Sequence, residues 1–208
     1  APHGACSTSF TGKASSRGLS TAQAAALSTS SLAALSTAQV LAIETDDFAA
    51  LSAVQLNALS SSQVRVLGSE QILSFSTEQL EGLSSRQVAS LTTLQASQIE
   101  TGSVSALTSA QVRALSTAQL SGLTTDQASA LLSDQVKALS SLQLSALGTA
   151  QVEAFSSSQI GAVSAASFSA FRTAQVAAIE TGDIAGLGSA QLRAVSSLQI
   201  RGFTSAQL

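Results

Sequence analysis

Glutamine recurs at every eighth residue. Nineteen of the twenty glutamines in this 208-residue chain fall in one class modulo eight, from Gln23 and Gln39 through to Gln207, and Gln98 alone is out of step. Self-similarity at a fixed period marks a repeat architecture, in which each unit buries its apolar face against other units. The unit here is the octapeptide Leu-(Ser/Thr)-(Ser/Thr)-x-Gln-(Val/Leu/Ile)-x-(Ala/Gly), running almost without interruption from Leu19 to Leu208. We number its slots one to eight from the leucine.

Eight residues suit neither regular element run continuously. The apolar slots one and six are five and then three residues apart, both odd spacings, so an unbroken strand would send them to opposite faces. An unbroken helix turns 100° per residue, so its apolar stripe would slip by about 80° per octad and soon wrap every face. A helix that restarts in each octad fits every slot. In Leu115-Ser116-Thr117-Ala118-Gln119-Leu120-Ser121-Gly122, Ser116 is a favoured N-cap and Gln119, three residues on, completes a capping box. Leu115 and Leu120 stand at the two positions of a hydrophobic staple. The spacing predicts helices of about six residues, roughly one and a half turns. Helices that short cannot hold themselves, so stacking must supply their stability. The expected fold is all-α: a solenoid of very short helices over residues 19–208, preceded by a non-repeating leader, residues 1–18.

Two longer periods refine that expectation. Phe75, Phe155, Phe171 and Phe203 occupy slot one in alternate octads, with Val163 and Val195 in the other set, which predicts two octads, or 16 residues, per layer. An offset of 80 residues pairs Leu67-Gly68-Ser69 with Leu147-Gly148-Thr149, and Ile99-Glu100-Thr101-Gly102 with Ile179-Glu180-Thr181-Gly182. Ten octads therefore look like a duplicated block. Slot eight is mostly Ala with some Gly, which reads as close approach between neighbouring helices, since a left-handed backbone would demand Gly throughout. The charges gather in slots four and seven, which are assigned to water.

Composition narrows the function classes. The chain is 45% hydrophobic but 3% aromatic, with seven Phe and no Trp, Tyr or Met, which suits thin layers packed closely. Only 10% of residues are charged, against roughly 25% in ordinary domains, so Ser, Thr and Gln must carry solubility. A net charge of −3 with scattered Lys and Arg gives no basic stripe for nucleic acid. No apolar run reaches the length of a membrane span. The start at Ala1 fits a processed N-terminus.

Few residues are left over for chemistry. Five glutamine slots hold Ser31, Asp47, Ser103, Ser167 and Asp183 instead. Three of these octads share an Ile-Glu-Thr opening, at Ile43-Glu44-Thr45, Ile99-Glu100-Thr101 and Ile179-Glu180-Thr181. Glu is a weak N-cap, so Thr45, Thr101 and Thr181 are expected to take over that role. Glu44, Asp46 and Asp47 would start a calcium site, which wants six to eight oxygens; because the middle copy keeps only Glu100, modified caps favoured by the helix dipole are the preferred reading. His3 cannot anchor an amino-terminal copper site through Pro2, which has no amide proton. Cys6 has no internal disulfide partner, and one His with one Cys cannot make a zinc site. No catalytic, cofactor or metal residues are assigned, and no enzymatic activity is expected.

The residues Leu-Ser-Thr-Ala-Gln-Val and Leu-Thr-Ser-Ala-Gln-Val resemble the long tandem L-(S/T)-(S/T)-x-Q proteins of bacteria, over residues 19–208. That resemblance implies an exported or surface protein. A likeness to the LTxxQ motif of periplasmic stress chaperones is limited to isolated copies on long helices, and their role is not carried over. The expected function is a non-catalytic structural protein outside the cell, at its surface or released: a spacer, stalk or filament subunit. Its expected partner is itself, stacked head to tail, with no small-molecule ligand. A binding module using the solenoid surface, as an adhesin or secreted effector, is the alternative, and an ice- or crystal-binding Ser/Thr array is a more remote one.

Overall fold

Each octad does restart a helix. In the computed structural model, which describes residues 18–208, Ser116 holds an extended backbone (φ −69°, ψ 161°) and Thr117–Ser121 is helical. The backbone returns to extended in the next cap. Twenty-two α-helices of four to six residues follow one another from Thr21–Ala25 to Ser197–Ile200, joined by one 3-10 helix, Thr181–Gly186, with no strand among the described residues. The molecule is an all-α solenoid of very short helices.

The eight slots sort by depth. Slots one and six supply nearly the whole core, with Leu115 5% and Leu120 0% exposed in the octad already described. One continuous apolar cluster runs from Ala24 to Leu187. Slot five is buried as well, although it is polar. Slots four and seven lie outside, and Arg65, Glu81, Arg113, Lys137, Asp126 and Asp134 are all exposed. Burying two large aliphatic side chains per octad, at about 1.5–3 kcal/mol each, gives such short helices the stability that propensity cannot.

The helices wind into a coil whose turn closes between three and four octads. Helix Thr117–Ser121 packs against Thr93–Gln98 on one side and Ser141–Ala146 on the other, each three octads away. Its Gln119 reaches further, to backbone carbonyls at the end of Ser85–Ser90, four octads back. Stacked helices therefore do not form the 16-residue layers expected from the alternation of Phe in slot one. Those phenylalanines answer to neighbours a full turn away: Phe75 meets Phe48 edge to face, with ring centroids 5.6 Å apart.

Slot eight is small because a full turn lands on it. A methyl group added at Gly82 would sit 2.5 Å from Ala53 Cβ, and one at Gly122 would overlap Thr93 Cγ2, each 29 residues earlier in slot three. At Gly186 it would overlap the backbone carbonyl of Ser157. Close approach between turns is the reason for Ala and Gly here.

Candidate functional site

The most elaborate chemistry in the molecule is the buried row of glutamines. Gln119 Oε1 accepts from the backbone N–H of Ser116 at 2.7 Å, while Ser116 Oγ accepts from the backbone N–H of Gln119 at 3.2 Å. That is the capping box expected at this spacing. The amide nitrogen has a second task that sequence reasoning missed. Gln119 Nε2 donates to the carbonyls of Val88 at 3.0 Å and Leu91 at 2.7 Å, 31 and 28 residues earlier. The same pair of offsets recurs for Gln63, Gln87, Gln151, Gln175 and Gln199, among others. One planar amide thus caps its own helix and ties it to the turn beneath. A buried amide is costly unless its hydrogen bonds are made, and here both ends are engaged. The sequence did carry a signal: slot five is never Glu, although Glu would serve a capping box as well. Only Gln supplies a donor.

Departures from the pattern separate these tasks. Gly68, Gly148, Gly188, Leu132 and Arg172 occupy the N-cap without a hydroxyl, yet the N–H of each still donates to the following glutamine Oε1. Ser31 and Ser167 show the reverse: their N–H groups keep the caps of Ser28 and Ser164, without the amide. In the three Ile-Glu-Thr octads both halves are missing. The N-cap stays at Glu44, Glu100 and Glu180 with no side-chain cap, and Thr45, Thr101 and Thr181 are the first helical residues. The expected transfer of the cap to threonine does not occur, because the packing of slots one and six fixes where each helix begins.

Where glutamine is absent, the side chain turns to the helix three octads back. Ser103 Oγ meets Thr77 Oγ1 at 3.3 Å, Ser141 Oγ donates to Ser167 Oγ at 3.2 Å, and Ser157 Oγ donates to Asp183 Oδ1. These pairs have one separation, 26 residues. They bond along the stack but do not reach the carbonyls of the turn below.

The acidic candidates do not converge. On helix Thr45–Ala49, Asp47 takes the buried slot five while Asp46 takes the exposed slot four, so their carboxylates diverge by about 100° around the axis. Among the described residues no group of three or more His, Cys, Asp or Glu is placed to hold a metal ion. Gln98, the stray glutamine, sits in small slot eight; its Nε2 donates to Ser69 Oγ at 2.8 Å, and its buried Oε1 has no protein partner. An open concavity of about 600 Å³ near the last turn is bordered by Glu153, Ile179, Glu180, Thr181, Thr204 and Gln207. His3 and Cys6 lie outside the described residues. No described helix is long and apolar enough to cross a membrane.

The octad is also recognisable as a family. The sequence pattern of the ALTTAQ repeat matches residues 40–77, 96–133, 129–165 and 176–208, together well over half of the chain. The chain belongs to the ALTTAQ repeat family. No curated protein matches it. The tandem resemblance read from Leu-Ser-Thr-Ala-Gln-Val thus corresponds to ALTTAQ repeats in four matched stretches. The invariant-looking glutamine of that repeat is the residue that here links cap to stack.

Proposed function

We propose that this protein is a non-catalytic structural repeat protein working outside the cell, as a spacer or as the subunit of a filament stacked head to tail. The observation that carries this reading is the use made of the interior. In the regular octads the large apolar side chains and the buried glutamine amide are committed to contacts between turns. An arrangement of this kind resists bending and repeats indefinitely, since each turn contacts only those beside it. Charged side chains sit singly on the outer slots, which suits a solvated surface.

Electron microscopy of the purified 208-residue chain tests the structural role. The expected result is unbranched rods whose length rises with protein concentration. Monomers that persist at high concentration would leave the spacer and remove the filament. Protease accessibility on intact cells of the native source tests the location: digestion of the protein without lysis is expected, and protection until lysis would overturn the external assignment.

A further inference from the structure

The stack is polar, and its two end faces carry opposite halves of one interface. Every glutamine amide in the coil reaches backward, so the first described turn presents amides and the last presents carbonyls. Gln23 and Gln39 are exposed, whereas Gln111, Gln119 and Gln127 are 1–2% exposed. Their Oε1 atoms already accept from the N–H groups of Ser20 and Ser36, at 2.9 and 2.8 Å. Among the described residues their Nε2 groups meet no carbonyl. At the other end Leu192 is 51% and Ile200 47% exposed in slot six, where Val112, Leu120 and Val136 are 0%. Gln191 and Gln199 in the same turn remain buried, because slot five faces the turn below.

We propose that the last turn is a docking site for the first turn of a second copy of this chain, which continues the solenoid in register. The proposal rests on the filament reading above and specifies its joint. Inside the coil an amide binds the slot-six carbonyl 31 residues back and the following slot-one carbonyl 28 residues back. The matching pairs on the last turn are Ile184 with Leu187, Leu192 with Val195, and Ile200 with Phe203. Gln23 and Gln39 are two octads apart, as are the first and third of these pairs. Docking them there places Ser31 over the second pair, and Leu192 and Ile200 under slots like those that cover Val112. The joint then repeats the chain's internal interface, and it joins unlike faces only. Heterologous contacts of this kind propagate as fibres unless they close.

Sedimentation velocity and electron microscopy of the full chain and three variants test the joint. Leu192→Lys with Ile200→Lys is expected to weaken assembly about a hundredfold, since two aliphatic contacts are lost and two charges are buried. Its circular dichroism should match the parent, because both residues are already half exposed. Gln39→Glu, which removes the donor, is expected to weaken assembly about tenfold. Leu142→Lys, on the outer slot four at 72% exposure, should assemble normally. The doubly charged variant keeps its amide face, so a small amount added to the parent chain should shorten its rods. Rods that form equally well with Leu192→Lys and Ile200→Lys, or that Leu142→Lys abolishes, would overturn the joint while leaving the filament standing. A parent chain that stays monomeric would overturn both.

Discussion

The octads Leu115–Gly122 and Ile179–Gly186 occupy equivalent places in the coil and are built with different chemistry. The first has a hydroxyl cap, an amide cap and an amide link to carbonyls four octads back. The second has none of these; Glu180 caps with backbone alone, and Asp183 accepts from Ser157 three octads back. Both still form a helix in the same register, the first as α-helix and the second as the tighter 3-10 form. Register is therefore set by the apolar slots, Leu115 and Leu120 in one and Ile179 and Ile184 in the other. The polar slots decide how firmly each helix is held.

That contrast can be broken from the strong side first. Gln127→Leu keeps the volume and removes every polar contact of a residue 1% exposed. It orphans the N–H of Thr124 and leaves the carbonyls of Ala96 and Ile99 without their donor. A loss of about 3 kcal/mol or more is expected in urea unfolding followed by circular dichroism. If Gln127→Leu is neutral, the amide link contributes little and stacking alone holds the coil.

Backbone approach sets the next largest effect. Gly186→Ala forces a methyl group onto the backbone carbonyl of Ser157 and is expected to cost about 2 kcal/mol. Gly102→Ala, at the corresponding Ile-Glu-Thr motif, meets nothing within 4 Å and should stabilise by about 0.5 kcal/mol through lower backbone entropy. Thermal melts of the two variants should therefore shift in opposite directions.

The weak side can also be repaired. Ser167 already caps through Ser164 and lacks only the amide. By the common spacing, Ser167→Gln brings a donor to the carbonyls of Val136 and Leu139, with an expected gain of about 1 kcal/mol. The smallest change is Ser116→Ala, which removes one hydroxyl cap while Gln119 keeps the other half. A loss of about 1 kcal/mol at most is expected. Gly68, Gly148 and Gly188 already stand in that slot, so a loss as large as that of Gln127→Leu would mean the hydroxyl, not the amide, dominates.

Local chemistry was legible in the sequence and turn-to-turn geometry was not. Ser116 and Gln119 are three residues apart, so their mutual capping follows from the chain alone, as does the exposure of slots four and seven. The contact of Gln119 with Val88 and Leu91 spans 31 and 28 residues. That spacing depends on how many octads close a turn, which no single octad encodes. The alternation of Phe75 and Phe155 suggested two octads; a turn of between three and four instead carries Phe75 onto Phe48. The lapses were visible as Asp47, Ser103 and Asp183, but their new partners, such as Thr77 for Ser103, were not, because serine and threonine fill both capping slots and look alike along the chain.

The direction in which the amides point has a consequence for how the molecule comes into being. Each side-chain nitrogen seeks carbonyls that precede it, 28 to 31 residues nearer the amino end. A chain emerging from the ribosome therefore always has its acceptors made before their donors appear. Beyond the first turn, each new octad can dock on finished structure at once, and no segment has to wait for a distant partner still to be translated.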